Sequence, residues 1–434
     1  TMALPRKSKN NNMNMNVTYP SSFTLVLSIM LVLALANTFL EIQESKGQLP
    51  PGPGRWPIIG NLFQMIMNRP AHQWIHRVME DMETEIACFR FAGGVHVIIV
   101  TSSEISLEVL REKDKALADR AEAYSIRLIS HGYNGVSFSS YDYRPFLRGW
   151  NVEGEEKDAR EAVDIINRCN DPIIRERMHL WRDKGGNETE EDWLDIPIKQ
   201  KDDQGIHLFT FEEIRAQCKD VNVATIDNTM NTVEWTIAEM LNHQEILEKA
   251  TKELNIIVGK DRLIQESDIP QLNYIKACCK ESFRLHPPNA FLPPHGARED
   301  TTLAGSQILM SCPGLGRNPK TWEEPDAFKP ERHLVDHARD PVDMEPDMRF
   351  VVFGTGRRGY TGPKLGATKI VMLLARLLQA APARHCPTGP VSKGSNGLSH
   401  VELIAANTNL FMAKPLLASA KPRLAPGLYP KIQV

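Results

Sequence analysis

Three charged side chains in the C-terminal half of the chain are spaced so that they could form one network. Glu281 and Arg284 stand three residues apart in KESFRLHPP, so they lie on one face of a helix and can pair. Arg332 follows in FKPERH, directly after a proline-containing break in the helical pattern. Its planar guanidinium could bridge the same carboxylate and fasten a loop to the helix. The alternative is an ordinary exposed ion pair, which contributes little to stability.

A glycine-rich loop lies downstream of these charges. Residues 353–362 read FGTGRRGYTG, and a helical pattern starts near Leu365. Glycines let the backbone approach a flat ligand closely, and a glycine-rich loop before a helix can also hold phosphate. The loop lacks the GK[ST] of a P-loop and the spacing of a dinucleotide-binding turn. The sequence therefore favours a flat ligand over phosphate.

The elements that must position these residues are mostly helical. Helical patterns dominate residues 155–284, and Phe211–Met240 is a long helix candidate without proline. The segment IACFRFAGGVHVIIV at residues 86–100 predicts two short strands around a Gly-Gly turn. After Pro287 the chain is rich in loops. These patterns predict a mostly α fold with a minor β part.

The composition is typical of a globular protein with a sizeable core. The chain has 434 residues, of which 42% are hydrophobic and 24% charged. Its formal net charge of -3 gives no indication of nucleic-acid binding. The scattered cysteines include no CxxC pair, which argues against a disulfide framework or a zinc site and is typical of a reducing compartment.

The N-terminal part predicts a membrane anchor. Residues 1–22 are polar and predict disorder, and residues 23–40 form an uncharged run that is just long enough to span a bilayer. A cleavable signal peptide is an alternative, because Ala34–Ala36 resembles a cleavage site, and a buried core helix is another. The length of the run favours an uncleaved transmembrane anchor. The proline-rich residues 41–57 then predict a stiff hinge before a catalytic body at residues 58–434.

Taken in order, the motifs resemble the cytochrome P-450 superfamily of haem-thiolate monooxygenases. That family has an ExxR helix, a Pro-Glu-Arg loop and an FxxGxRxCxG loop in this order near the C-terminus. Finer features resemble the plant amino-acid N-monooxygenases that form aldoximes. These features are the FGTGRRG loop, His333 in PERH, the VEW and AEM triplets within residues 233–240, and LFMAKP at residues 410–415. The resemblance extends from the proline-rich hinge to the end of the chain.

This resemblance implies a fold, a reaction and partners. The fold would be a cytochrome P-450 domain behind an N-terminal transmembrane helix. The reaction would be N-hydroxylation of an amino acid to an aldoxime in secondary metabolism, as for defence compounds. It would use haem iron, oxygen, and NADPH through a cytochrome reductase. The family also implies an endoplasmic reticulum membrane location, with one span and a cytosolic body. The basic residues before the span instead place the N-terminus in the cytosol by the positive-inside rule.

The resemblance also implies roles for residues of the long helix. Asp227 and Asn228, in ATIDNT, match an acid and its neighbour that stand over the haem and relay protons to dioxygen. The amino-acid N-hydroxylases follow this pair with proline, where this chain has Thr229. The alternative for Asp227 is an ordinary solvated helix charge. His295 and Arg358 match positions that meet a haem propionate.

The glycine-rich loop departs from the family at one position. By resemblance, Phe353, Gly356, Arg358 and Gly362 would contact the haem, and Tyr360 stands where the family has its iron-ligating cysteine. Thiolate ligation promotes cleavage of the O–O bond in these enzymes, whereas tyrosine ligates iron in catalase-type haem. Cys312 and Cys386 lie outside the loop and would not replace the missing ligand, so we expect haem retention and activity to be impaired.

Two internal gaps accompany this substitution. Near residues 138–139 the resemblance skips a block of several helices, including a WxxxR helix that holds a haem propionate. Between Ala304 and Gly305 a short strand and turn are absent. The three losses predict an internally truncated member with impaired activity. The rival hypothesis is a catalytically dead, membrane-anchored remnant or pseudogene product, and a third is a tyrosinate-haem protein with peroxidase-like activity.

Overall fold

The fold is taken from a computed structural model, which describes most of the region that follows the proline-rich hinge. The described residues are 28, 31–32, 35, 49–56, 59–91, 95–118, 155–183, 192–296, 306–334, 348–360, 362–380, 383–385, 391–393, 399–406 and 410–429.

Helices dominate the described residues. They are α1 Leu62–Met67, α2 Ala71–Asp81, α3 Ser103–Leu107, α4 Glu155–Met178, α5 Asp195–Lys199, α6 Phe211–Thr225, α7 Asp227–Asn242, α8 Gln244–Ile257, α9 Asn273–Leu285, α10 Cys312–Gly316 and α11 Pro363–Ala380. Single π turns at Glu108–Glu112 and His179–Asp183 follow α3 and α4, and 3₁₀ turns lie at Glu266–Gln271, Pro330–His333, Gly356–Arg358 and Pro426–Leu428.

A four-stranded sheet forms the minor β part. The two strands predicted around the Gly-Gly turn are β1 Ile86–Phe91 and β2 Val95–Val100, and β2 also pairs in parallel with β4 Ser306–Met310. Four consecutive residues of β2, Val97–Val100, are buried, and they contribute alternately to two hydrophobic clusters, so both faces of the sheet are covered here. The strands are β1 Ile86–Phe91, β2 Val95–Val100, β3 His295–Gly296, β4 Ser306–Met310, β5 Ala383–His385, β6 Val391–Lys393, β7 Ser399–Val401 and β8 Ala418–Ala420. The main sheet has the order β1-β2-β4-β3, and β5 with β8 and β6 with β7 form two-stranded ribbons.

The largest hydrophobic core lies where α7, α8, α9 and α11 meet. It includes fully buried side chains such as Met240 on α7, Ile275 on α9 and Leu374 on α11. Phe353 of the glycine-rich loop packs against this core. The core therefore fixes the position of the loop relative to the charged residues of α9.

The long helix predicted over Phe211–Met240 is broken, so the prediction of one continuous helix was wrong. Helix α6 ends at Thr225 and α7 starts at Asp227, with Ile226 between them at φ -86° and ψ -69°. The side-chain amide of Asn228 donates to the Ala224 carbonyl at 3.1 Å, the carbonyl that its backbone amide would bind in a continuous helix. Side chains that compete for backbone carbonyls in this way bend helices without any proline.

The predicted anchor lies mostly outside the described residues. Of residues 23–40, only Ser28, Leu31, Val32 and Leu35 are described, and all four are exposed and helical. No helix within the described ranges is long and apolar enough to cross a membrane. The anchor therefore stays a prediction. The predicted disordered segment at residues 1–22, the gaps at residues 138–139 and 304–305, and Cys386 also lie outside the described residues.

Candidate functional site

Glu281 is the centre of a buried network on α9. Arg284 donates to both of its carboxylate oxygens, at 2.9 and 2.7 Å, and both side chains are 0% exposed. Arg332 donates to Glu281 Oε1 at 3.1 Å, and His333 lies 2.8 Å from Oε2. The backbone amide of Lys329 donates to Oε1 at 2.9 Å. The structure thus brings together the three charged residues that the sequence singled out.

The two arginines also bind the backbone of the loop that precedes Arg332. Arg284 donates to the carbonyls of Gly316 and Pro325, each at 2.6 Å, and to Ala327 at 2.9 Å. Arg332 donates to the Glu323 carbonyl at 2.9 Å. These bonds fasten the loop to α9, and each arginine carries several donors in a fixed planar arrangement that suits this role.

The carboxylate of Glu281 stays ionised although it is buried. Burial raises its pKa, but hydrogen bonds from His333 and Arg284, with the charge of Arg284, more than offset that effect and lower the pKa to about 2. His333 was noted in the sequence only as part of a family motif, and its contact with Glu281 was missed. The sequence signal that could have revealed this contact was the position of His333 directly after Arg332.

The network helix connects directly to the glycine-rich loop. Phe283 packs edge-on against Phe353, with ring centroids 5.5 Å apart. Phe353 in turn stacks with Tyr360 at 6.0 Å and 17°, and its carbonyl accepts from the Tyr360 amide at 2.8 Å. This chain of three rings places Tyr360 relative to α9.

The glycines of the loop allow its tight conformation. Gly354 and Gly356 have φ values of +65° and +68°, in the left-handed region that favours glycine. A Cβ on Gly356 would collide with the Leu110 carbonyl. A Cβ on Gly362 would lie 3.0 Å from the hydroxyl oxygen of Tyr360, because the tyrosine ring folds over this glycine. The loop therefore has little room for side chains where it turns.

His295 and Arg358, the two residues matched to propionate contacts, lie close together. His295 Nδ1 is 3.1 Å from the Leu117 carbonyl, and Arg358 Nε donates to the adjacent Ala118 carbonyl at 2.6 Å. His295 comes from β3 and Arg358 from the glycine-rich loop, so two distant segments converge on one strip of backbone. Two side chains able to donate hydrogen bonds are thus gathered where a carboxylate ligand could be held.

Asp227 and Asn228 lie in the first turn of α7, at the helix break. Asp227 is exposed, whereas Asn228 is partly buried through its bond to Ala224. Helix α7 packs against α11, which follows the glycine-rich loop in sequence, so the break and the loop belong to neighbouring elements. The described contacts do not join Asp227 or Asn228 to the loop directly.

Several segments that resembled the amino-acid N-monooxygenases contact each other. Trp235 donates to the Leu410 carbonyl at 2.9 Å and stacks on His286 with ring centroids 4.1 Å apart. His286 Nε2 lies 2.7 Å from a carboxylate oxygen of Glu239. Burial lowers the pKa of His286 despite this carboxylate. The sequence offered these segments only as separate motifs, so this second buried cluster was missed.

The residues of the loop do not fit a haem bound through a thiolate. The loop at residues 353–362 contains no cysteine, and Cys278, Cys279 and Cys312 are buried outside it. Tyr360 offers a phenol instead. Burial raises the pKa of this phenol, which favours the neutral form over the anionic form that ligates iron. The donor set therefore disagrees with the cofactor chemistry that the family resemblance implied.

Comparison with known proteins identifies relatives that cover nearly the whole chain. The family model described as Cytochrome P450 matches residues 124–393. The dihomomethionine N-hydroxylase of Arabidopsis thaliana is 37% identical, over 94% of this chain and 96% of that protein. The tyrosine N-monooxygenase of Sorghum bicolor is 35% identical, over 89% of this chain and 88% of that protein. The predicted resemblance to amino-acid N-monooxygenases is confirmed.

Solved structures share the fold. A zebra fish cytochrome P450 with progesterone matches with a TM-score of 0.65, covering 82% of this chain and 100% of that chain at 20% identity. At this identity the likeness establishes the fold alone. The predicted fold class, mostly helical with a small sheet, is therefore confirmed.

Proposed function

Because the chain belongs to the cytochrome P450 family, we propose that it derives from an enzyme that N-hydroxylates an amino acid on the way to an aldoxime. The observation that carries this proposal is its similarity, over nearly its whole length, to a dihomomethionine N-hydroxylase and a tyrosine N-monooxygenase. The family implies haem iron, an NADPH-dependent reductase as electron donor and an amino acid as substrate. Asp227, Asn228, His295 and Arg358 are the residues proposed to serve this ancestral site.

The chain as it stands is proposed to be impaired in this reaction. Tyr360 is the reason within the described residues, since it supplies a neutral phenol in a loop without cysteine. A thiolate donates electron density that promotes O–O cleavage, and a phenol does not replace it. Impairment at the ligand affects both haem retention and chemistry.

A second support for impairment comes from the length of the chain. The alignment with the dihomomethionine N-hydroxylase spans 525 positions, so at least 91 of them lie opposite gaps in the 434 residues of this chain. This agrees with the proposal that a block of helices is missing near residues 138–139. If that block includes the WxxxR helix, a propionate contact is lost independently of Tyr360.

The decisive experiment is a reduced carbon monoxide difference spectrum on the purified full chain, with an aldoxime assay in the presence of a reductase. We expect neither a red-shifted, thiolate-type Soret band nor an aldoxime from any protein amino acid. Detection of either the red-shifted band or an aldoxime would contradict the proposed impairment. Tyr360→Cys should stay inactive, because the missing helices remain absent. Grafting the missing block from a relative into the Tyr360→Cys chain should restore aldoxime formation, and a repaired chain that binds haem but forms no aldoxime would contradict the proposed ancestry.

The rival function is a membrane-anchored remnant without catalysis. The observation that favours it is the same donor set, in which the loop offers a phenol and no thiolate. The spectrum and the assay distinguish an impaired N-hydroxylase from a non-catalytic remnant only in the repaired chain, which carries both Tyr360→Cys and the grafted block of helices. A repaired chain that produces aldoxime identifies an impaired N-hydroxylase, whereas a repaired chain that binds no haem identifies a remnant.

The location is also proposed from the family and the sequence. An anchor at residues 23–40 would hold the body on the cytosolic face of the endoplasmic reticulum, where a reductase could reach it. Carbonate extraction of membranes that contain the full-length chain checks this. We expect the chain in the pellet, and full-length protein in the supernatant would exclude the anchor.

A further inference from the structure

Helix α4 carries an exposed row of apolar residues, which we call the α4 stripe. It consists of Ala162, Ile165, Cys169, Pro172 and Ile173. Ile165 and Ile173 are 47% and 54% exposed, and Cys169 between them is also exposed. These three residues are spaced by four, so they follow one another along one face of the helix. Neither isoleucine belongs to any hydrophobic cluster of the described residues.

The opposite face of α4 packs against α6. Ile174 and Ile214 lie in one buried cluster, and Arg215 Nη1 donates to Asp171 Oδ2 at 3.2 Å. Around the helix axis, Ile174 and Asp171 point about 140° and about 160° away from Cys169. The packing of α4 on α6 therefore leaves the stripe on the outside, where a contiguous apolar surface marks a contact with another molecule.

The α4 stripe is nearly symmetric about Cys169. Ile165 lies one turn before this residue and Ile173 lies one turn after it, about 6 Å away in each direction along the axis. When a second copy of α4 is laid antiparallel across the stripe with the two cysteines opposite each other, Ile165 of each copy meets Ile173 of the other. A two-fold interface requires a self-complementary surface of this kind, because the same patch of both copies takes part.

Charges beside the stripe favour the same antiparallel arrangement. Glu161 and Arg175 are both exposed and lie on one flank, about 80° and about 120° from Cys169 in the same sense. Glu161 lies about 12 Å before Cys169 along the axis, and Arg175 lies about 9 Å after it. An antiparallel second copy therefore brings Glu161 of each chain beside Arg175 of the other, whereas a parallel copy would place like charges together. The two opposite-charge pairs select the antiparallel arrangement.

Two further contacts of this flank affect the strength of association. The Arg175 guanidinium lies 4.3 Å from the centroid of the Phe211 ring, which holds the arginine in place on the flank. Arg168 is exposed on the same flank next to Cys169, so the two copies of Arg168 approach and repel each other. This repulsion weakens the association without favouring either direction of the helices.

We propose that two copies of this chain associate through the α4 stripe, as an antiparallel pair of α4 helices with Cys169 near the two-fold axis. The stripe extends over three turns, from Ala162 to Ile173, which is about 17 Å. So small a surface supports a weak, reversible dimer and not a permanent one. A second copy fits the stripe better than an anionic membrane does, because exposed Glu161 and Glu176 border the apolar residues.

The test combines sedimentation equilibrium of the purified full chain with cross-linking by a short bismaleimide. Cys169 is the exposed cysteine among those that the structure describes, so it should react first. We expect a concentration-dependent equilibrium between monomer and dimer, and a covalent dimer that forms with the native chain and not with Cys169→Ser. The readout needs neither haem nor turnover, so it stays independent of whether the proposed N-hydroxylation is right.

One stripe variant and a matched control locate the contact. Ile165→Asp should weaken dimer formation about tenfold, because it places a charge in the centre of the contact while Cys169 stays available to the cross-linker. Ile256 on α8 is 74% exposed and lies outside the stripe, so Ile256→Asp should leave dimer formation unchanged. Both changes are made at exposed positions, so neither should prevent folding.

Charge reversal tests the direction of the two helices. Glu161→Arg alone should weaken dimer formation about threefold, because it places like charges together. Combining Glu161→Arg with Arg175→Glu should restore dimer formation, since each pair forms again with its signs exchanged. Arg168→Ala should strengthen dimer formation, because it removes the repulsion between the two copies of this arginine.

Three outcomes would overturn the proposal. A chain that stays monomeric in sedimentation at all concentrations would show that the stripe has no second copy as its partner. Equal dimer formation by the native chain and Ile165→Asp would place the interface elsewhere or attribute the cross-link to random encounters. A double charge reversal that associates no better than Glu161→Arg alone would exclude the antiparallel arrangement.

Discussion

The network around Glu281 and a group of polar side chains between α4 and α6 each contain fully buried charge, with opposite results. We call this second group the α4–α6 seam and define it as Asn167, Asn170 and Asp171 on α4 with Arg215 and Lys219 on α6. Glu281 and Arg284 are 0% exposed, and each makes several hydrogen bonds. Lys219 is equally buried, yet its amine has no hydrogen-bond partner among the described residues. The number of partners, and not burial alone, decides whether a buried charge stabilises or destabilises the fold.

The difference follows from how many segments meet in each region. Three segments converge on the Glu281–Arg284 pair. The Pro330–His333 turn binds Glu281, while Gly316 at the end of α10 and Pro325 in the following loop accept from Arg284. Trp322 closes the network from one side, with the Arg284 guanidinium 5.1 Å from its ring centroid. Among the described residues, the seam is formed by two helices only. Fewer converging segments bring fewer backbone carbonyls and amides to the buried side chains.

The largest expected effect comes from breaking the satisfied network. Arg284→Ala leaves the Glu281 carboxylate buried with fewer donors and leaves three loop carbonyls without this partner. Breaking a buried pair costs about 3–5 kcal/mol, so the free energy of unfolding should fall by this amount. Denaturant titration followed by circular dichroism measures it, with the exposed Lys252→Ala as control. A loss below about 1 kcal/mol would make the network no different from a surface ion pair.

Acid should weaken the same region. The pKa of Glu281 is lowered from 4.5 to about 2 in the folded protein, so its contribution is present above pH 4.5 and is lost as the pH falls towards 2. This shift corresponds to about 3 kcal/mol. The stability difference between the native chain and Glu281→Gln should therefore shrink between pH 4.5 and 2. A difference that stays constant over this range would show that the carboxylate is not held ionised by its partners.

The class of fold could be predicted from the sequence, because it depends on local patterns. The segment at residues 86–100 alternates and is rich in β-branched residues, and it forms β1 and β2 as expected. The network residues could be singled out because Glu281 and Arg284 share a helix face, which spacing alone fixes. Arg332 needed the order of family motifs as well.

The break at Ile226 and the α4–α6 seam could not be predicted in the same way. The break contains no proline, and it coincides with the hydrogen bond from the Asn228 side-chain amide to the Ala224 carbonyl. The seam depends on the register between two helices, since Asp171 and Arg215 are 44 residues apart. Side-chain rotamers and helix register are properties of the packed fold, and neither is encoded in residue spacing.

The smallest expected effect concerns the tightly packed glycine-rich loop. A Cβ on Gly362 would lie 3.0 Å from the hydroxyl oxygen and 3.2 Å from Cζ of Tyr360. Gly362→Ala should therefore force the ring to move, at a cost of about 1–3 kcal/mol. The matched control is Gly427→Ala, because nothing lies within 4 Å of a Cβ built there.

A double-mutant cycle with Tyr360→Cys sharpens this prediction. The smaller side chain removes the atoms that the new methyl group meets, so Gly362→Ala should cost much less in the Tyr360→Cys chain than in the native one. The measurement is the free energy of unfolding of the four chains in denaturant. Additive effects would show that the ring does not cover Gly362. A positive coupling would mean that tyrosine crowds this loop, as expected if the turn at Gly362 suits a shorter side chain at position 360.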